Sequence, residues 1–337
     1  MKKIVFLILI FPSLVFAEIV KGNELRFTQE FIKEMVNKHQ FKANELNFIF
    51  GQISLEILPA VEKSALPKRK KKIMSWDKYK SLFITDERIK SGVTFWKQNI
   101  KLLEKAEKKF NIPSEIIVAI LGIETNYGKN QGEHPTLETL LIKASGNNRR
   151  KKFYKKELES FLLLVRDNNI PPLSVKGSHA GALGMSQFIS SSYRHYAVDF
   201  DEDGKIDLFS SNADAIGSIA NYFDKHQWHD GGELSYPIEL NQKHFRYVKS
   251  SINKPVKTAQ YWKSKGIPIS IKIDDSTKIA LIQLPQDNHI DMRQTLWNFY
   301  VLTRYNHDNR YAMSINSTSL GLAVSDPSLR KNHRHAG

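Results

Sequence analysis

The chain has no cysteine among its 337 residues. That excludes disulfides, thiolate zinc sites, a cysteine nucleophile and an N-terminal lipid on cysteine. It has no evident internal repeat and, beyond its first residues, no apolar run of bilayer-spanning length. Acidic groups are also in the minority. Fifty Lys and Arg face 35 Asp and Glu, a formal net charge of +15 at pH 7. Such a field favours anionic partners, but charge alone does not choose among wall polymers, lipid headgroups and nucleic acid.

What is present begins with MKKIVFLILIFPSLVFA. Lys2 and Lys3 form a positive start, Ile4 to Ile10 an apolar middle, and Val15 and Ala17 suit the positions before a cut. This pattern predicts a secretory signal peptide removed after Ala17, hence an exported, periplasmic protein. Outside the cytoplasm, wall polymers and lipid headgroups fit a basic protein better than DNA does. The length suits two domains, or one large core with a small attachment.

Helical spacing recurs through 93–110 (Trp96, Ile100, Leu103, Phe110), read as one helix, and through 214–226 (Ile216, Ile219, Ala220, Phe223). Thr28 is placed to cap a helix carrying Phe31, Ile32, Met35 and Val36. Four prolines punctuate 235–289, where IPISIKI and KIALIQL alternate like short strands. Residues 290–313 read as helical or mixed, and the tail from Ser325 as polar and mobile. The expected fold class is mainly α (α+β). The expected parts are a signal peptide (1–17), an N-terminal helical region (18–112), a helical core (113–234), a small β-containing domain (235–289), the rest of the core (290–324) and the tail (325–337).

One acid stands in odd company. In PSEIIVAILGIETNYG, the apolar residues of the run Ile116–Ile123 leave no polar face, so this helix should be buried. Glu124 follows near the helix end, with Gly128 as a stop. Desolvation and the negative helix C-terminus both disfavour its charge and raise its pKa. A carboxyl protonated near neutrality can act as a general acid; the plainer reading is a buried Glu paired with an Arg. Next, KGSHAGALGMSQF has Gly181 and Gly184, which permit close backbone approach, and Ser178 and Gln187, which offer uncharged hydrogen bonds suited to a sugar. An ordinary loop and cap is its plainer reading. The third stretch is DFDEDGKID. Asp199, Asp201, Asp203 and Gly204 occupy positions 1, 3, 5 and 6 of an EF-hand loop, with the Lys205 carbonyl at position 7. Ser210 stands at position 12 instead of Glu, and Asp214 is the substitute or, more plainly, a helix cap. A structural Ca2+ is expected, with no organic cofactor.

Together with YAVDFDEDGKIDL, ADAIGSIANYF and TRYNHDNRYAM, these segments resemble, in order, the membrane-bound lytic murein transglycosylase B family. The resemblance covers most of residues 75–313. It implies a lysozyme-like core that cleaves peptidoglycan glycan strands without water, leaving 1,6-anhydro ends. It places the catalytic acid on Glu124 and glycan contacts on Ser178, Gln187, Tyr79, Tyr222, Tyr305 and Asn306. Arg149 and Arg150 match a basic pair near the stem peptides. The implied calcium ligands are Asp199, Asp201, Asp203, the Lys205 carbonyl and Asp214. Ser190 and Phe153 depart from residues often found there, proline and tyrosine, and the metal loop is one residue longer before Asp214. The expected partners are glycan strands and stem peptides, with peripheral association to an anionic wall or membrane, no nucleic acid, and a monomeric state. The alternatives are a lysozyme-type hydrolase and a wall-binding protein with a dead site.

Overall fold

The structure, a computed structural model, describes residues 18–57, 74–229, 233–287 and 289–331. The expected signal peptide and most of the basic stretch LPKRKKKIMSW lie outside the described residues. The chain forms two compact units: residues 1–71 with 137–159, and residues 72–136 with 160–337.

The first unit opens with β1 (Glu18–Lys21), followed by α1 (Arg26–His39), α2 (Ala43–Gly51) and β2 (Ser54–Ile57), which pairs antiparallel with β1. Helix α1 buries Phe31, Ile32 and Met35 at helical spacing and stops at Gln40 in the left-handed conformation. Thr28 does not cap it. The helix starts two residues earlier with extended Leu25 as its N-cap, and Thr28 lies fully buried inside the first turn.

The second unit begins with α3 (Trp76–Phe83), α4 (Asp86–Gln98), α5 (Ile100–Phe110) and α6 (Ser114–Thr125). The single helix predicted over 93–110 is in fact two. Asn99 leaves helical geometry at φ −119°, ψ 21°, and its side-chain amide donates to the Phe95 carbonyl at 2.8 Å. That local bond competes with the helix ladder, as Asn side chains do. Helix α6 is the centre of the unit. Residues Ile116 to Ile123 are all buried, and α4, α5 and two later helices, α10 (Asn212–Lys225) and α13 (Asn309–Ser325), pack around it. Truncating one of its isoleucines to alanine would cost about 2–5 kcal/mol.

The chain continues through β3 (His134–Pro135), α7 (Thr136–Ser145), α8 (Lys151–Asp167) and β4 (Lys176–Gly177), which pairs with β3. Then come α9 (Ser190–Tyr196) and α10 (Asn212–Lys225). The β-containing part holds β5 (Ser235–Pro237), β6 (Lys257–Thr258), α11 (Ala259–Ser264), β7 (Lys278–Pro285) and β8 (Ile290–Thr295), in the sheet order β5-β8-β7-β6. The sheet therefore runs past residue 289. KIALIQL forms β7 and is buried along most of its length, as a strand covered on both faces should be. IPISIKI does not form a strand. Pro268 supplies no amide donor, and the segment turns back on itself, with Ile273 N donating to Ser270 O. The buried Gln294 accepts from Ser270 N at 3.1 Å and pins it, while Ile267 and Ile273 still enter the small core beside Trp262 and Leu281.

Helices α12 (Trp297–Tyr305), α13 (Asn309–Ser325) and α14 (Ser328–Lys331) close the chain. The expected mobile tail is ordered at its start: Leu329 is buried in α14.

Candidate active site

Glu124 is the penultimate residue of α6. The helix ends because Asn126 adopts the left-handed conformation, followed by Tyr127 and Gly128, also at positive φ. The stop is thus Asn126, two residues before the expected glycine. Glu124 as a residue keeps an intermediate exposure, although its carboxyl group is set among buried surroundings. Burial of its surroundings pushes the carboxyl up to about 7, against a hydrogen bond from Tyr311 that pulls the other way. Among the described residues no charged neighbour contributes, so the Glu–Arg pair weighed from sequence is not found there.

Tyr311 Oη donates to Glu124 Oε1 at 2.6 Å. The Tyr311 ring stacks parallel to Tyr305 at 6.3 Å, and Tyr305 Oη donates to the Ser186 carbonyl at 2.5 Å. Thr125, next to the acid, donates to the Met185 carbonyl at 2.9 Å. These bonds tie the end of α6, the start of α13 and the loop 178–188 into one constellation. Burial raises both phenols well above their ordinary range, so each remains a donor. Sequence reading missed Tyr311, although it lies in the quoted TRYNHDNRYAM. Tyr305 closes α12 and Tyr311 sits in the first turn of α13, so no helical period relates them.

The loop residues are tightly held. Ser178 Oγ accepts from the Ala180 and Ala182 amides, leaving its own proton free to donate. Gln187, itself at φ 50°, donates through Nε2 to the Gln131 and Gly184 carbonyls, which leaves its Oε1 as an acceptor. Gly184 is required by sterics: it sits at φ +66°, and an added Cβ would lie 2.5 Å from the Leu208 carbonyl oxygen.

Tyr222 is buried and its hydroxyl donates to the Arg304 carbonyl at 2.7 Å; its ring meets Tyr305 edge-on at 4.9 Å. Asn306 is exposed at the C-cap of α12. Tyr79 on α3 has a phenol pushed up to about 12, by burial first and then by the charges of Asp308 and Glu124, partly offset by Arg310. Arg149 and Arg150 fall in the first unit and are exposed; the Arg150 guanidinium covers the Phe153 ring at 4.1 Å.

In the acidic loop, carboxylate oxygens of Asp199, Asp201 and Asp214 lie within 4.8 Å of one another, spacing that fits a hard cation with oxygen ligands. Asp203 is not in that group; its carboxylate accepts from Lys205 N at 2.8 Å. Asp199 accepts from the amides of Asp203 and Gly204, the tight turn of such loops. Asp214 is not the N-cap of α10. Ser211 is, accepting from Asp214 N, and this frees the buried Asp214 carboxylate to accept from Phe200 N and Asp207 N. Burial raises its pKa first, and Asp201 and Asp199 add to the effect. A divalent ion would relieve that crowding.

A family model described as the transglycosylase SLT domain matches residues 23–319. The chain belongs to this family. It is 35% identical over 308 residues to the membrane-bound lytic murein transglycosylase B of Escherichia coli (strain K12), covering 88% of this chain and 82% of that one. Its fold is similar to the catenated lytic transglycosylase SltB1 of Pseudomonas aeruginosa at TM-score 0.81 and 33% identity, covering 90% and 99% of the two chains. It is also similar to the E. coli lytic transglycosylase Slt35 solved in complex with calcium, at TM-score 0.77 and 33% identity, covering 90% and 94%. The helical unit around α6 is thus the lysozyme-like core of the SLT transglycosylases. No helix among the described residues is long and apolar enough to cross a membrane.

Proposed function

We propose that this SLT transglycosylase cleaves the MurNAc-β-1,4-GlcNAc bond of peptidoglycan and leaves 1,6-anhydroMurNAc ends, with Glu124 as its only general acid and base. One observation carries the reading: the Glu124 carboxyl is held near pKa 7 by burial, with Tyr311 as its hydrogen-bond partner and, among the described residues, no second carboxylate acting on it. A hydrolase of the usual kind needs two carboxyl groups flanking the bond. Asp308, whose charge acts on Tyr79 together with that of Glu124, is committed to an ion pair with Arg310.

Tyr311 occupies Oε1, so Oε2 carries the proton. Glu124 gives that proton to the glycosidic oxygen as the bond from C1 breaks. The C6 hydroxyl of the same sugar then bonds to C1 and returns its proton to the carboxylate. No water enters, and an intramolecular nucleophile needs position more than activation. The 2-acetamido group stabilises the cationic intermediate. Ser178, with its free hydroxyl proton, holds the acetamide, while Gln187, Tyr79, Tyr222, Tyr305 and Asn306 set the sugar rings. Arg149 and Arg150 meet stem-peptide carboxylates through charge-assisted hydrogen bonds.

Ca2+ binds Asp199, Asp201 and Asp214 and pins the loop beside α10; Asp203 and the Lys205 carbonyl complete the set. The Slt35 structure with calcium and the convergence of the Asp199, Asp201 and Asp214 oxygens support this. The enzyme works as an exported, periplasmic monomer on glycan strands. Mass spectrometry of soluble products from purified peptidoglycan tests the proposal. Anhydro products are expected; products heavier by one water would mean a hydrolase, and no release would mean a binding protein.

A further inference from the structure

Helix α3 brings Tyr79 to the site, yet it is poorly placed to hold itself there. It has eight residues, and among them only Trp76 is fully buried. A helix this short is marginal in water. Its stability must come from what it touches.

Besides the buried Trp76, the packing on α13 and a long Lys78–Asp287 ion pair at 3.9 Å, one polar contact is the side chain of Gln286, whose Oε1 accepts from Asp77 N at 3.0 Å. Another is Arg310. Its Nε and Nη2 grip Asp308 at 3.0 and 2.5 Å, its Nη1 donates to the Met74 carbonyl at 2.9 Å, and its guanidinium carbon lies 4.8 Å from the centre of the Tyr79 ring. Both charged side chains are largely shielded, 21% and 27% exposed. Asp308 also caps α13 by accepting from Arg310 N at 2.8 Å. The next residue in that helix is Tyr311, the donor to Glu124. Tyr79 is further packed on Phe83 at 4.9 Å, while its hydroxyl has no hydrogen-bond partner among the described residues.

We propose that Asp308 and Arg310 are positioning residues that hold Tyr79 and the first turn of α3 in register with the Tyr311–Glu124 pair. Asp308 fixes the plane of the guanidinium. One edge of that plane anchors the backbone entering α3, and its face supports the Tyr79 ring. The unpartnered hydroxyl is thereby presented to a sugar at a fixed distance from the acid. A lysine could supply the charge over the ring but not the planar fork that reaches two partners. The inference rests on the proposed function for its substrate and on geometry alone for the clamp.

Two measurements keep those separate. The first is hydrogen exchange in the full chain, which needs no activity. In Arg310→Met, amides of residues 76–83 should exchange about tenfold faster, while those of α6 stay as in the wild type. Unchanged exchange in α3 would overturn the clamp whether or not the enzyme cleaves anything. The second is kinetics on soluble, uncrosslinked peptidoglycan oligosaccharides. Arg310→Met and Tyr79→Phe should each raise KM about tenfold with a smaller loss of kcat. The double variant should be no worse than the poorer single one, and Arg310→Lys should recover part of the loss. Fully multiplicative effects of the two substitutions would show that Arg310 does not act through Tyr79 and would overturn the positioning role. If the wild type releases nothing from peptidoglycan, the proposed function falls, and the exchange result still decides the clamp.

Discussion

Tyr311 Oη lies 2.6 Å from Glu124 Oε1, joining residues 187 positions apart in the chain. The bond stabilises the carboxylate, whereas burial disfavours it, and burial prevails. The acid therefore keeps its proton near neutrality and can still release it.

Replacing Tyr311 by Phe removes the influence that lowers the Glu124 pKa. The alkaline limb of the kcat/KM profile, expected to fall in the wild type as pH rises through about 7, should move to higher pH. The rate at the optimum should drop roughly tenfold as the carboxyl loses its orientation. A limb that moves to lower pH would contradict the assigned balance of forces.

Glu124 should also lower the stability of the fold at high pH. Its folded pKa is about 7 and its ordinary value 4.5. Below 4.5 both states hold the proton. Between the two values the folded chain keeps a proton that the unfolded chain releases, so stability falls as pH rises, and the full cost remains above 7. That cost is about 3 kcal/mol. Glu124→Gln should abolish cleavage, melt higher than the wild type at pH 8 and melt close to it at pH 4. An equal gain at both pH values would show that the carboxyl is not perturbed.

The acidic loop separates ligation from folding. Asp201 is exposed and accepts only from Ser211 Oγ among the described residues, so Asp201→Ala should leave melting in chelator unchanged and remove most of the gain from calcium. Asp214 is buried under two backbone amides, so Asp214→Ala should lower melting even in chelator, by about 2–4 kcal/mol. Thermal melts with calcium and with chelator read both. A wild type that melts identically in the two would rule out the metal.

Gly184→Ala asks for a side chain at φ +66° and 2.5 Å from a carbonyl oxygen. Chemical denaturation should show a loss of about 1–3 kcal/mol. The rate should also fall, since the same turn sets Gln187. Full activity and unchanged stability would mean that the loop has room the structure does not show.

Much of this protein could be read from its residues in order. The run Ile116–Ile123 forces a buried helix because it has no face to offer water. That places Glu124 where its charge is disfavoured. The spacing of Asp199 before Asp203 and Gly204 sets a tight turn, because each requirement is local, although Asp203 itself turns to the Lys205 amide and not to the other carboxylates. KIALIQL is a strand for the same reason. Other local signals misled. Asn99 divides what periodicity joined, and IPISIKI alternates correctly yet bends around Gln294, twenty-one residues beyond its last residue. Only the tertiary structure brought Tyr311 to Glu124, Asp214 to Asp199 and Asp201, and Arg310 to Tyr79. Those relations depend on where α6, α10, α13 and α3 meet, and the packing of helices is decided by the fit of whole surfaces, which no short stretch of sequence contains.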